Sequence, residues 1–241
     1  MGNPKQGGDL YRPIHKEGTH LAPSKNTEGA FRGTLLDNET NQLGKQIQSW
    51  KTFLQNHHHE MWATDFFTIP TLTFDVLYVL VIIHHKSRKI IHFGVTTNPT
   101  AEWTIQQFRN ATPYGKVPKY LIHDNDPIFC SKAFQLFLQS SSIISKKTAY
   151  RSPWQNPYAE RVIGTIKREL LEQVIPLNEQ HLHTLLREYI RNYYNTDRTH
   201  QGIDGKTPIP SPVYLPTPAE STRLEARPVL NGLYHAYKKV D

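Results

Sequence analysis

The sequence predicts an α/β protein in which a mixed sheet has helices on both of its faces. Two observations lead to this fold class. Three strand-like apolar runs follow one another closely after residue 60, and helical and strand patterns then alternate along the chain. Consecutive strands followed by helix–strand units are typical of a mixed sheet that is covered by helices.

Five segments are predicted to be strands. The first contains apolar residues at both alternating positions, as expected for a strand that is buried on both faces. The second is rich in β-branched residues, and the third follows a basic turn. In chain order, the predicted strands are 62–69, 76–84, 89–95, 119–123 and 143–147.

The helices are predicted from capping residues followed by apolar residues at helical spacing. Thr100, Ser131, Asn156 and Asn178 each precede such a pattern. These residue types are favoured N-caps because a side-chain oxygen can accept a hydrogen bond from an unpaired backbone N–H of the first turn. Pro157 fits the first helical position after Asn156.

Length and composition narrow the class of protein further. The chain has 241 residues, 28 Lys and Arg against 21 Asp and Glu, and a net charge of +7, which is compatible with nucleic-acid binding but not specific for it. With Cys130 as the single cysteine, no disulfide framework or cysteine-based zinc finger can form. The longest apolar run, 76–83, is too short to span a bilayer, so we expect a cytoplasmic protein without a membrane partner.

The chain divides into three parts by composition. Residues 1–48 are rich in Gly, Asn, Thr, Pro and Lys without apolar periodicity, and we expect them to be poorly ordered. Residues 49–207 contain all the predicted strands and form the expected core domain. Residues 208–241 are predicted to be a Pro-rich C-terminal extension. The histidines at 57–59 are expected to lie in a solvated linker before the first strand.

Three acidic residues stand out because of the elements on which they lie. Asp65 interrupts the buried first strand, where an uncompensated carboxylate costs several kcal/mol. Asp124 follows the fourth strand, at an edge where open α/β sheets bind ligands. Glu160 lies in the first turn of a predicted helix. Each also has an ordinary explanation, namely a hydrogen-bonded strand end, a turn residue and a glutamate favoured by the helix dipole.

Taken together, the three acids resemble a known catalytic set. Asp124 and Glu160 are separated by 35 residues, and Asp65 lies upstream. This spacing resembles that of the DDE transposases and retroviral-type integrases. Their closing motif is similar to the segment with Tyr194, Asn195, Arg198 and His200, which we interpret as packing rather than chemistry. The resemblance implies a ribonuclease H-like five-stranded sheet in which strands one and four are neighbours.

The resemblance also implies a reaction. In this family the acids hold two Mg²⁺ or Mn²⁺ ions, and hard oxygen ligands suit those ions better than zinc. The expected activity is cleavage of DNA ends and transfer of their 3′-hydroxyls to a target by a polynucleotidyl transferase. A hydrolytic ribonuclease H-like nuclease remains an alternative. So does an inactive DNA-binding remnant of a mobile element, because 1–48 shows no helix-turn-helix pattern, which the family's transposases usually carry there.

The expected partners are DNA, as element ends and target, and further copies of the chain in a synaptic complex. Lys167 lies seven residues after Glu160 and therefore on nearly the same line of the helix. By resemblance it contacts DNA, although a solvated helix face is the ordinary explanation. Further candidates for DNA binding are Arg161, Lys146, Lys147, Arg151 and Trp154, the last of which could instead pack under its own loop.

Asp126 departs from the family pattern, in which glycine often stands two residues after the second aspartate. The spacing to Glu160 favours Asp124 as the ligand, since Asp126 would leave only 33 residues between the two acids. Asp126 could still hold a water near the ions or raise the affinity for cations.

Overall fold

The computed structural model describes residues 49–149, 152–210 and 223–240, which include a five-stranded mixed sheet of order β3-β2-β1-β4-β5. The first three strands pair antiparallel, whereas β4 runs parallel to both β1 and β5. The strands are β1 Met61–Pro70, β2 Val76–His84, β3 Ile90–Thr96, β4 Tyr120–His123 and β5 Ile144–Lys147. The predicted fold class is confirmed, including the adjacency of the first and fourth strands.

Helices cover both faces of the sheet and divide its core in two. On one face α5 and α6 pack against residues such as Ala63, Phe67 and Ile122. On the other face α2, α3 and α4 pack against Leu80 and Leu121, among others. The helices are α1 Trp50–His57, α2 Ala101–Ala111, α3 Pro127–Cys130, α4 Lys132–Ser140, α5 Pro157–Ile166 and α6 Glu179–Tyr189. Single π-helical turns, Lys167–Leu171 and Ile190–Tyr194, continue α5 and α6.

Three of the four predicted N-caps are confirmed by their hydrogen bonds. The side chains of Thr100, Ser131 and Asn178 each accept from a backbone N–H in the first turn of α2, α4 and α6. Asn156 occupies the N-cap position of α5, but its side chain makes no capping bond. Its side-chain Nδ2 instead donates to the backbone carbonyl of Thr64.

The segment before the first strand forms helix α1; of the histidines expected in a linker, His57 is the last residue of this helix, whereas His58 and His59 lie between α1 and β1. Ser49 caps this helix by accepting a hydrogen bond from the backbone N–H of Thr52. Trp50, Phe53 and Leu54 pack against the core from one side of the helix. Their three- and four-residue spacing is what produces an amphipathic helix.

The C-terminal part also contains structure that its composition did not predict. Strands β6 Arg223–Val229 and β7 Tyr234–Val240 form an antiparallel hairpin. Val229, Leu230 and Ala236 are buried in the core beside α6. Pro228 is tolerated because the two-stranded ribbon leaves edge positions where no backbone N–H is needed. The predicted parts 1–48 and, within the extension, 211–222 lie outside the described residues.

The closing motif holds the far edge of the sheet, as predicted from its packing role. The side-chain amide of Asn195 accepts from the backbone N–H of Ile90 and donates to its carbonyl, both at 3.0 Å. Arg198 forms an ion pair with Glu169 at 2.6 Å, and Tyr189 donates to the same carboxylate.

None of the helices that the structure describes has the length and apolar character needed to span a bilayer.

Candidate active site

The register of β1 and β4 brings Asp65 and Asp124 side by side. Ala63 pairs with Ile122 in the parallel ladder, and each aspartate lies two residues beyond its member of this pair. Because side chains alternate along a strand, Asp65 shares the sheet face of Ala63 and Phe67, which α5 covers. Neighbouring strands are about 4.8 Å apart, so the two aspartates leave adjacent strands at the same level.

Glu160 reaches this place from the first turn of α5. Asn156, which is 4% exposed, donates from Nδ2 to the backbone carbonyl of Thr64 at 3.1 Å. Its own backbone carbonyl accepts from the N–H of Glu160 at 3.3 Å. Asn156 therefore connects the helix of Glu160 to the residue before Asp65.

The electrostatics of Asp65 reflect its burial and its acidic neighbours. The pKa of Asp65 is raised to about 7, first by burial and then by the charge of Asp124, with smaller contributions from Glu160 and Asp126. The N–H of Phe66, which donates to Asp65 at 2.8 Å, opposes this rise. Like charges gathered in a partly buried place repel one another unless a cation or a proton lies between them.

The donor set fits hard divalent cations. Asp65 and Asp124 each use one carboxylate oxygen to accept a backbone N–H, from Phe66 and Asp126 respectively. Within the described residues their second oxygens and the exposed carboxylate of Glu160 form no hydrogen bond or salt bridge, and Mg²⁺ and Mn²⁺ prefer such oxygen ligands. In the same part of the chain, no three His, Cys, Asp or Glu side chains are already arranged around a metal position.

Asp126 has a structural use that the sequence did not reveal. Its carboxylate accepts from the backbone N–H of Ile128 at 2.8 Å and so caps the short helix α3. Its φ is −56°, a value that every residue type adopts, so the position does not require glycine. Burial and the neighbouring Asp124 raise the pKa of Asp126.

His123 positions Asp124 and was not singled out from the sequence. The ring is fully buried, with Nδ1 at 2.7 Å from the carbonyl of Asp124 and Nε2 at 2.7 Å from Oγ of Ser145. Since a carbonyl can only accept, Nδ1 carries the proton and Nε2 accepts from the hydroxyl. The one signal in the sequence is a polar residue at the end of a buried strand.

Tyr158 holds the first turn of α5 against the turn after β2. The guanidinium of Arg88 lies 3.4 Å above its ring, and the ring of His85 meets it edge-on with centroids 4.2 Å apart. His85 is 2% exposed, and its Nε2 is buried without a hydrogen-bond partner among the described residues. Burial lowers the pKa of His85 to about 3, with a further contribution from Arg88.

Lys167 lies on the same side of α5 as the acids. Its Nζ is 5.5 Å from the centre of the Phe67 ring, and Phe67 follows Asp65 by two residues on one sheet face. Lys167 is exposed, as is Arg161. Both side chains are therefore accessible from solvent.

The remaining candidates for DNA binding differ in how exposed their side chains are. Lys146 is half-buried, and its Nζ lies over the rings of Phe53 and Tyr120 at 5.0 Å and 5.7 Å. Lys147 is exposed, and Trp154 is 64% exposed instead of packed under its loop. Arg151 lies outside the described residues.

Comparison with known proteins identifies the family. Two family models, both described as Integrase core domain, match residues 55–153 and 142–208. The chain is 29% identical over 160 residues to the transposase for insertion sequence element IS904 of Lactococcus lactis, covering 62% of this chain and 60% of that protein. It is 23% identical over 180 residues to the insertion element IS600 31 kDa protein of Shigella sonnei, covering 74% and 65% respectively. The chain thus spans less than two thirds of either relative.

Solved structures agree on the fold. The Mos1 transposase catalytic domain, solved with Raltegravir and Mg, has a TM-score of 0.51 and 15% identity, covering 60% of this chain and 79% of that chain. A chain of the simian T-cell lymphotropic virus intasome has a TM-score of 0.50 and 19% identity, covering 75% and 66%. The family models, which together cover residues 55–208, show that the protein belongs to the integrase core family as a DDE transposase/integrase catalytic core.

Proposed function

We propose that this protein cleaves DNA at the ends of a mobile element and joins the resulting 3′-hydroxyls to a target DNA. The observation that carries the proposal is the register of β1 and β4, which sets Asp65 beside Asp124 beneath the helix of Glu160. The relatives named as insertion-element proteins support a role in transposition.

Asp65, Asp124 and Glu160 would hold two Mg²⁺ or Mn²⁺ ions, with Asp65 shared between them. Bound ions of this kind activate the attacking oxygen and stabilise the charge that develops on the phosphate. The oxygen-only donor set supports this choice, and the Mos1 catalytic domain, which has the same fold, was solved with Mg.

The protein's own groups would position the reacting DNA. The backbone N–H of Phe66 donates to one carboxylate oxygen of Asp65, and the backbone N–H of Asp126 donates to one carboxylate oxygen of Asp124. These bonds fix the direction of the free oxygen of each carboxylate. Lys167 and Arg161, exposed on α5, would contact phosphates beside the cleaved bond. Because the pKa of Asp65 is about 7, ion binding at neutral pH would release a proton from part of the population.

Cleavage and joining can be separated with oligonucleotides. Purified protein would be incubated with labelled duplexes carrying the terminal sequences that flank the gene, with a supercoiled target and with Mg²⁺ or Mn²⁺. We expect nicked ends and covalent end–target products. Asp65→Asn should remove both products, whereas Asp204→Asn, the same change at an exposed turn, should leave them unchanged.

The products decide among the alternatives. Nicking without joining would support a hydrolytic nuclease instead. DNA binding without either reaction, at every ion concentration, would support an inactive remnant of a mobile element. We further propose that the active form is an oligomer of this chain on paired DNA ends, and that it acts in the cytoplasm.

A further inference from the structure

A line of basic side chains runs along α6 and into the π-helical turn that continues it. His183, Arg187 and Arg191 follow one another at four-residue intervals, and side chains at this spacing are neighbours on a helix surface, with Cβ atoms about 5–6 Å apart. Arg187 and Arg191 are exposed, and His183 is half-buried. The ring of His183 packs on Phe93 of β3, with centroids 5.0 Å apart.

Lys89, which directly precedes the edge strand β3, adds one more basic residue to this line. Lys89 and Arg191 line a cavity of about 230 Å³ that is otherwise largely apolar and that also contains His92 and Asn195. The amide of Asn195 is occupied by Ile90, and Nε2 of His92 is hydrogen-bonded to Gln107 of α2, so Lys89 and Arg191 are the polar side chains left to meet a ligand. We call Lys89, Arg187 and Arg191, with the neighbouring His183, the α6 basic surface.

The charges of this surface are not neutralised within the described structure. None of the salt bridges among residues 49–149, 152–210 and 223–240 involves Lys89, Arg187 or Arg191. Burial lowers the pKa of His183, and Arg187 and Arg191 lower it further, with only Glu179 opposing them. Lys89, Arg187 and Arg191 therefore carry positive charge that no salt bridge of the described residues balances, as at a surface that meets a polyanion.

Its position separates this surface from the catalytic centre. In the order β3-β2-β1-β4-β5, β3 lies two strands from the strand of Asp65, which corresponds to about 10 Å across the sheet. Helices α5 and α6 nevertheless pack on the same sheet face. A duplex held at the carboxylates could continue over α5 and reach α6.

We propose that the α6 basic surface binds the phosphate backbone of duplex DNA, as a contact separate from the active site. Exposed cations at regular spacing suit a row of phosphates, and point charges of this kind position DNA without reading its sequence. The proposal rests on the proposed function, since it assumes that this protein acts on DNA.

The test compares salt dependence of binding between variants. Binding of a labelled mixed-sequence duplex to Arg187→Gln/Arg191→Gln protein would be followed by fluorescence anisotropy in EDTA from low to high KCl. The matched control is Arg109→Gln/Lys132→Gln, which removes two exposed charges from α2 and α4 on the opposite sheet face. Each lost phosphate contact lowers the slope of log affinity against log salt by about 0.9, so the α6 variant should lose about 2.

We expect the α6 variant to bind DNA at least about tenfold more weakly than the control near physiological salt. It should still nick DNA at the wild-type rate once enough protein is added to saturate the substrate. Equal slopes and affinities for the two double variants would overturn this inference alone. If the α6 variant loses slope relative to the control but the wild-type protein neither nicks nor joins DNA, the proposed function is overturned and the binding surface stands.

Discussion

The side-chain amide of Asn156 donates a hydrogen bond to the backbone carbonyl of Thr64 at 3.1 Å. This bond joins α5 to β1 one residue before Asp65 and four residues before Glu160. The bond is buried, so water cannot easily replace it. The distance between Asp65 on β1 and Glu160 on α5 therefore depends on the side-chain amide of Asn156.

Replacing Asn156 should reduce catalysis more than folding. Asn156→Ser supplies a hydroxyl that can cap α5 but is too short to keep the bond to Thr64. If the bond aligns the acids, both Asn156→Ser and Asn156→Ala should lower the nicking rate by about 10–100-fold. They should also raise the Mn²⁺ concentration needed for half-maximal rate. Full activity in Asn156→Ser would show that the bond to Thr64 does not align the acids.

Isosteric changes of the three acids should abolish cleavage and spare DNA binding. Asp65→Asn, Asp124→Asn and Glu160→Gln keep shape and remove ligand charge, so each should slow nicking by more than about 100-fold. Mg²⁺ should raise the melting temperature of the wild type and do so less in each variant, because a ligand that binds only the native state stabilises it. Nicking by any of them at near wild-type rate with Mg²⁺ would remove that residue from the set.

Asp126→Gly should be tolerated, in contrast to Asp124→Asn. Asp126 caps α3 and its φ is negative, so glycine loses one hydrogen bond without relieving strain. Substituting an N-cap by glycine costs a few tenths of a kcal/mol, and by alanine about 1 kcal/mol. The free energy of unfolding measured in urea should therefore be higher for Asp126→Gly than for Asp126→Ala, and both variants should still nick DNA. An inactive Asp126→Gly beside an active Asp124→Asn would reverse the assignment.

His85 should make the protein sensitive to acid. Its pKa is lowered in the folded state to about 3, from 6.5, so its neutral form stabilises the fold above pH 6.5. That contribution is lost as the pH falls from 6.5 toward 3, at about 1.4 kcal/mol per pH unit. His85→Phe keeps a ring against Tyr158 and cannot be protonated. Its melting temperature should fall less than the wild type's between pH 7 and pH 5.

The comparison for this prediction is His235→Phe, which changes an exposed histidine on β7. It should follow the wild-type dependence on pH. A His85→Phe protein that loses as much stability in acid as the wild type would mean that other groups carry the acid sensitivity.

Asn195 should contribute more to the free energy of unfolding than the nearby Asn192. Asn195→Ala leaves the N–H and the carbonyl of Ile90 without partners in a buried place, which should cost about 2–4 kcal/mol. Asn192→Ala changes a half-buried side chain that forms no hydrogen bond within the described residues. Chemical denaturation of the two variants should show a clear difference in midpoint, and equal midpoints would contradict the role of Asn195 at the sheet edge.

Much of the fold could be predicted because its signals are local. The buried strand around Asp65, the β-branched second strand and the caps at Thr100, Ser131 and Asn178 each depend on residues a few positions apart. Helix α1 and the β6–β7 hairpin were missed for a different reason. Their apolar residues are few, and they become ordered by packing against the core beside Tyr120 and α6.

The sequence by itself determined which residues could be catalytic, because the types and spacing of Asp65, Asp124 and Glu160 are readable along the chain. Only the tertiary structure decided how they meet. Secondary-structure propensity does not specify which atoms meet in the β1–β4 register, in the bond from Asn156 to Thr64 or in the cap that Asp126 forms. The four-residue spacing along α6 can likewise be read from the sequence, whereas the position of Lys89 beside Arg191 depends on the packing of α6 against β3, about 90 residues earlier in the chain.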